Sequence, residues 1–262
     1  MIDTHSHILP GVDDGSASLD HSVEMARAAS AAGIREIVCT PHLDDPDSSV
    51  IWRAGEALAD LRARLEEERI GLTLRLGFEL RANLVLFGSL EDLALLTIEE
   101  SGGAILVEVP HNGWPSRLEE RLFQLRTNGF TPILAHPERN DCIQKDPALL
   151  PRCIAAGGVA QATAASLGSD FGRGTQRAFL RHLAQGHISL IGTDAHYFRR
   201  LSWTFADVMR VISKRVPGLD NDLLVMENPA RVLRGESLLP VEYAAGEAPA
   251  PWWRGGFLGV RG

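Results

Sequence analysis

The sequence predicts an α/β fold in which about seven short strands alternate with helices and close into a barrel. Two observations carry this. Short apolar, β-like runs alternate with helical patterns from end to end, which implies parallel strands. Histidines and acids then recur at the ends of those runs: His5 and His7, His42, Glu79, Glu108, His136, Asp194 and His196. Sites in α/β folds lie beyond the carboxyl ends of the strands. A closed barrel explains the recurrence better than an open sheet, because closure gathers all strand ends around one mouth. The length of 262 residues suits a single such unit.

The elements follow in order. Met1 to His5 is a strand. A helix carrying Val23, Ala26 and Ala29 is capped by Ser18 or Asp20 and stopped by Gly33. Ile34 to Thr40 is a strand. Trp52 to Arg69 is a helix with Ala57, Leu58, Leu61 and Leu65 on one face. Leu72 to Phe78 and Ala104 to Val109 are strands. Leu118, Leu122 and Leu125 mark a helix ending at Gly129. Thr131 to Ala135, Gly158 to Ala162 and Ile188 to Gly192 are strands, with helices near Ala148 to Ala156, Thr175 to Gln185 and Phe205 to Ser213. The barrel is expected over residues 1–238. Residues 239–262, with Pro240, Pro249, Pro251 and the Trp252-Trp253 pair, are expected to form a tail outside it.

Composition narrows the function. The chain is 45% hydrophobic and 23% charged, with a net charge of -8, which argues against a nucleic-acid backbone as partner. There is no signal-like N-terminus and no apolar run long enough for a membrane span. Cys39, Cys142 and Cys153 show no CxxC spacing, which suits a reducing cytoplasm. Cysteine-phosphatase chemistry is excluded, because Asp45, Ala148 and Val159 stand where each cysteine would need an arginine. No GxxxxGK[ST], GxGxxG or GxSxG pattern is present.

In an extended chain residues i and i+2 face one side, so His5 and His7 can grip one metal ion together. Any one histidine or acid alone is better read as structural. Their joint placement at successive strand ends is what points to a polynuclear metal site. The donors are imidazole and carboxylate without thiolate, which favours Mn, Fe or Zn. Paired ions in hydrolytic sites lie about 3.5–4 Å apart and activate a shared water. Arg139, three residues after His136, suits a phosphate oxyanion, the alternative being a surface salt bridge. His21, His182 and His187 read as structural. His111 reads either as a support for a ligand or as a loop residue.

These residues resemble the polymerase-and-histidinol-phosphatase (PHP) superfamily. Within it the chain is most similar to the manganese-dependent protein-tyrosine phosphatases encoded with bacterial capsule and exopolysaccharide genes. The motifs are Asp3-Thr-His-Ser-His-Ile-Leu-Pro-Gly-Val-Asp-Asp14-Gly15, Thr40-Pro-His42, Gly77-Phe-Glu79, Glu108-Val-Pro-His111, Ala135-His-Pro-Glu-Arg-Asn140, Thr193-Asp-Ala-His196 and Asn228-Pro-Ala-Arg231. The resemblance spans Met1 to about Gly235.

The resemblance implies a distorted seven-stranded PHP barrel with three divalent metal ions, manganese first and iron or zinc as alternatives. His5, His7 and Asp194 are then ligands of the first ion, and Glu79 bridges it to the second. Glu108 and His136 complete the second, and Asp14, His42 and His196 hold the third. Arg139 binds phosphate, with Arg199 or Arg200 as a second contact. The run Gln161 to Ser166 replaces an Asn-rich segment at the substrate rim. The implied activity is a phosphomonoesterase in which a hydroxide bridging two ions attacks phosphorus. The implied partner is a phosphotyrosine-bearing bacterial tyrosine kinase of polysaccharide export, met in the cytoplasm by an enzyme that can self-associate. The alternatives are a small-molecule phosphatase of the histidinol-phosphatase kind and a non-catalytic or nuclease module.

Overall fold

In the computed structural model, residues 1–44, 48–168, 171–196 and 205–241 are described. The first half contains β1 (Ile2–Ser6), α1 (Leu19–Ala31), β2 (Glu36–Cys39), β3 (His42–Leu43), α2 (Ser48–Glu67), β4 (Thr73–Leu76) and β5 (Glu79–Arg81). Two short helices follow, α3 (Ala82–Phe87) and α4 (Leu90–Ala94), then β6 (Ala104–Glu108), α5 (Leu118–Thr127) and β7 (Thr131–Ala135). The chain continues through α6 (Asp141–Lys145), α7 (Leu149–Ala155), β8 (Val159–Thr163), α8 (Gly172–Ala184), β9 (Ile188–Gly192), α9 (Phe205–Arg215) and α10 (Asn228–Leu233).

All strand pairs are parallel. They form a three-stranded sheet, β1-β2-β4, and a six-stranded sheet, β3-β5-β6-β7-β8-β9. The described residues thus hold nine strands where about seven were expected from sequence alternation. The extra two arise because the runs through β2 and β4 are each interrupted and then resume. Thr40 and Pro41 separate β2 from β3, and proline removes a ladder donor. Gly77 and Phe78 separate β4 from β5. The two breaks stay in step, since Gly77 N donates to Cys39 O at 2.9 Å and Glu79 N donates to Pro41 O at 3.0 Å. Gly77 also packs closely, because a Cβ there would lie 3.0 Å from Val38 and 3.1 Å from Ile98.

The helices cover the strands with the faces their spacing dictates. Ser18 is the N-cap of α1, accepting from His21 N, and the helix buries Val23, Met25, Ala26 and Ala29. Leu118, Leu122 and Leu125 of α5 are fully buried. The central strands are apolar on both faces, as parallel strands between layers must be: Ile105, Leu106, Val107, Ile133 and Leu134 are inaccessible. Leu239 to Val241, inside the expected tail, are held to the domain. Asn228 donates to Leu239 O and accepts from Leu239 N, and Val241 is buried. Residues 242–262, including Trp252 and Trp253, lie outside the described residues.

The end of β9 is tied back to β1. Asp194 N donates to His5 O at 2.8 Å, and His7 N donates to Ala195 O at 3.0 Å. Asp3 secures this seam: its buried carboxylate accepts from His5 N, Thr193 N and the Thr193 hydroxyl. Burial pushes the Asp3 carboxyl up to about 6, against the opposing hydrogen bonds from Thr193. Asp3→Ala strands three buried donors, so it should destabilise the fold by on the order of 3 kcal/mol. Chemical denaturation measures this; a loss near zero would show that the seam holds without Asp3.

Candidate metal centre

The strand ends bring the expected ligands together. His5 on β1 and His7 just beyond it have their Nε2 atoms 3.1 Å apart. Both nitrogens face Glu79 Oε2, at 3.3 and 3.4 Å, and Asp194 Oδ1, at 3.4 and 3.3 Å. These four residues form one group whose donor atoms lie within 4.8 Å of one another. His7, Asp14, His42 and His196 form a second such group, so His7 stands in both. Asp14 Oδ1 lies 3.6 Å from His42 Nε2 and 3.4 Å from His196 Nε2. The His196 ring stacks on His7 at 4.0 Å.

Glu108 and His136 border these groups without being members of either. His136 Nε2 contacts Glu79 Oε1 at 2.9 Å, and its Nδ1 is buried with no hydrogen-bond partner. Glu108 closes β6 with a buried Oε2 that likewise lacks one. His136 and Asp194 both adopt left-handed backbone, φ 34° and 53°, at strand ends. Such geometry costs on the order of 1–3 kcal/mol and persists where surrounding contacts enforce it.

The polar atoms fit a cation. Three imidazole nitrogens converge on Glu79 Oε2, with His42 Nδ1 nearest at 3.0 Å. Yet neither Glu79 Oε2 nor His42 Nδ1 makes a hydrogen bond of acceptable geometry. The tautomers agree with this. His5 Nδ1 donates to Gln161 Oε1 at 3.1 Å, and Gln161 is itself oriented by donating to Thr4 Oγ1. His7 Nδ1 donates to Asp13 Oδ2 at 2.7 Å. In the neutral imidazoles both Nε2 lone pairs therefore point into the centre, as metal-binding histidines require.

Sequence reasoning missed two of these supports. Asp13 was passed over for Asp14, yet it also accepts from His42 N and Gly15 N. A Cβ on Gly15 would lie 2.2 Å from His7 O, so the turn sits hard against His7. Gln161, expected at the substrate rim, is buried and points inward along β8. Only the spacing Asp13-Asp14-Gly15 hinted at the first, and nothing hinted at the second. His111 lies beside His136 with ring centroids 5.6 Å apart. His182 and His187 pair with each other at 3.1 Å, and burial pushes the His182 imidazole down to about 3.

Arg139 is no surface salt bridge. Its side chain is 9% exposed, donates to Asp194 Oδ2 at 2.6 Å, and lies 3.8 Å over the Phe171 ring. Its Nε is buried without a partner. Arg199 and Arg200 lie outside the described residues.

Parallel strands that present two linked His/carboxylate groups at their ends define a class: an α/β protein whose strand ends carry groups that could hold metal ions. The profile of the capsular polysaccharide synthesis family CpsB/CapC matches residues 1–234, and the chain belongs to that family. It is 34% identical over 243 residues to the tyrosine-protein phosphatase YwqE of Bacillus subtilis, covering 91% of this chain and 93% of that one. It is also 34% identical over 197 residues to CapC of Staphylococcus aureus, covering 75% and 77%. A crystal structure from work on YwqE from Bacillus subtilis and CpsB from Streptococcus pneumoniae, metal-dependent tyrosine phosphatases, superposes with a TM-score of 0.81. It is 32% identical and covers 92% of this chain and all of that one.

The buried acids and imidazoles shift one another's titration. Burial opposes charge on His7, but Asp13, Asp194 and Glu79 hold its pKa well above the ordinary value. His42 and His136 are raised against burial by Glu79. Burial would raise Glu79 and Asp194, but His5 and its neighbours hold both well below the carboxylate range. The raised imidazoles stabilise the metal-free fold fully below the ordinary histidine pKa of about 6.5, and this contribution is lost as pH rises through the raised values. Metal binds deprotonated imidazole, so its affinity grows over the same window. The rise in Tm on adding a divalent metal should therefore widen as pH rises above about 6.5. A rise independent of pH would contradict metal–proton competition.

Asp13→Ala should weaken manganese binding about 10–100-fold, with Asp13→Asn milder. Competition against a chelator measures this. Wild-type affinity in Asp13→Ala would show that His7 needs no such support.

Proposed function

We propose that the protein is a metal-dependent phosphomonoesterase that dephosphorylates phosphotyrosine on a protein. The observation that carries this is the pair of donor groups sharing His7 in a chain of the CpsB/CapC family. The relatives' activity supports the substrate class: YwqE is named a tyrosine-protein phosphatase, and the similar crystal structure concerns metal-dependent tyrosine phosphatases. The capsule-synthesis context supports a tyrosine kinase of polysaccharide export as the phosphorylated partner, met in the cytoplasm. The strand order, with β9 tied to β1 and β2 and β4 resuming as β3 and β5, supports a closed, distorted seven-unit barrel over residues 1–238.

His5, His7 and Asp194 with Glu79 would hold a first ion, Glu79, Glu108 and His136 a second, and Asp14, His42 and His196 a third. Manganese is the first choice for this set, with iron or zinc as alternatives. Divalent ions held there would lower the pKa of water and polarise phosphoryl oxygens.

The protein's own groups do the rest. Gln161 and Asp13 fix the tautomers of His5 and His7, so their lone pairs need no reorientation. Asp194 and Phe171 hold the Arg139 guanidinium beside the centre, and its Nε is a buried donor without a partner, which supports a role for this guanidinium toward a phosphoryl oxygen. A preorganised donor of this kind stabilises charge as it develops. Tyrosine leaves as a phenolate, a lower-pKa leaving group than an alkoxide, which lessens the need for a general acid. Arg199 and Arg200 are further candidates for the phosphate contact.

Metal-stripped protein should be inert toward p-nitrophenyl phosphate and regain turnover with manganese. It should then prefer phosphotyrosyl peptides over phosphoserine and histidinol phosphate in kcat/KM. No turnover with any of manganese, iron, zinc or magnesium would refute the reading, and a preference for histidinol phosphate would move the substrate class. His136→Ala should lose both metal and rate. Arg139→Ala should lower kcat/KM by roughly 10²–10³-fold, the scale for one oxyanion donor, while retaining more metal than His136→Ala. Equal metal loss in both would show that Arg139 acts through Asp194 and not on phosphate.

A further inference from the structure

A second guanidinium stands at the strand ends, and the sequence motifs do not include it. β5 ends at Arg81, two residues past Glu79, so the two side chains share a face while Leu80 between them is fully buried. The parallel register pairs Arg81 with Glu108, the last residue of β6. In-register neighbours on parallel strands point the same way, which places Arg81 at the strand ends beside a ligand.

An open cleft of 430 Å³ lies there, lined by Asp14, His42, Asp44, Arg81 and Glu108 among others. Among the described residues lining it, Arg81 is the one guanidinium or ammonium; the other charged groups are carboxylates and a candidate ligand histidine. With Asp14, His42 and Glu108 given to metal, Arg81 is the side chain of this lining left to meet an anion with hydrogen-bond donors of its own. Its side chain is 55% exposed and paired with Asp44, itself 63% exposed, and such exposed pairs are weak. Its Nε stands 3.9 Å from Glu108 Oε2, too far for a hydrogen bond. Arg139, by contrast, is buried and already committed to Asp194.

We propose that Arg81 exchanges Asp44 for the phosphoryl group of the incoming phosphate monoester and binds its oxygens from the cleft side. This deepens the phosphatase reading and rests on it. The planar fork of arginine accepts two phosphoryl oxygens at once, and a weak exposed carboxylate partner is readily displaced by a dianion. Asp44 then acts as a competitor that holds the fork in place between turnovers.

The test uses the manganese-loaded full chain and inorganic phosphate as probe, read by titration calorimetry, with manganese content measured in parallel. Arg81→Ala and Arg81→Gln should each bind phosphate about 10–100-fold more weakly, the range for losing a hydrogen bond to a charged group. Their manganese content should match wild type, and Arg81→Lys should fall between. Asp44→Asn should bind phosphate at least as tightly as wild type. Unchanged phosphate affinity in both Arg81→Ala and Arg81→Gln overturns the proposal. So does a loss that merely follows lost manganese, which makes Arg81 a partner of Glu108, and so does weaker binding by Asp44→Asn. Turnover of p-nitrophenyl phosphate by the wild type separates the two levels. Without it the phosphatase reading fails; with it, an unchanged Arg81 variant sinks only the assignment of Arg81.

Discussion

Glu79 is a carboxylate with no access to solvent, and three imidazole nitrogens crowd one of its oxygens without hydrogen-bonding to it. A buried ion without compensation costs several kcal/mol, and the low dielectric around it makes each missing partner expensive. Against burial, the carboxylates hold His7, His42 and His136 above the ordinary histidine value, which favours charge on the rings. The His7 and His42 rings nevertheless approach Glu79 Oε2 at ion-pair distance without hydrogen-bond geometry. Divalent cations held there would resolve this conflict, since both carboxylate oxygens and imidazole lone pairs would then point at charge of the right sign.

The backbone works to create that convergence. Parallel strands deliver their last residues to one end, and the β1–β9 seam held by Asp3 and Thr193 brings the first ligands against the last. The breaks at Pro41 and Gly77 restart pairing so that His42 and Glu79 face each other in register. His136 and Asp194 turn into left-handed backbone just past their strands, which re-aims their side chains. The strain is held by contacts at both positions: Glu79 on His136, and His5 and Arg139 on Asp194. Arg139 thereby joins the metal side of the centre to the expected phosphate side.

What the sequence made legible follows from locality. Strand ends are visible in an apolar run, so His5, His7, His42, Glu79, Glu108, His136, Asp194 and His196 stood out together, and the long helices α1, α2 and α5 were readable from one-face periodicity. The short α3, α4, α6 and α10 were not, because so few turns leave no periodic pattern to read. The resumed strands β3 and β5 were missed because the expected strands stop at Thr40 and Phe78, and two or three residues past a break are too few to show alternation. Asp13, Gln161 and Arg81 were invisible as functional groups for a different reason. Their roles come from hydrogen-bond geometry and register across distant segments: His7 with Asp13, His5 with Gln161, Arg81 beside Glu108. A salt bridge was foreseen for Arg139 as the bland alternative, but its burial against Phe171 and its bond to a candidate ligand were not.

The convergence of charge on His7 and Glu79 is tested most directly by crystallography of manganese-soaked protein at wavelengths either side of the manganese edge. Anomalous peaks are expected among His5, His7, Glu79 and Asp194, and among Asp14, His42 and His196, with the Glu108 and His136 side chains turned toward the first group's ion or a neighbour of it. Absence of anomalous signal at both places, in crystals whose protein is otherwise unchanged, would contradict a metal-built centre and leave the buried Glu79 cluster as a protonated hydrogen-bond network.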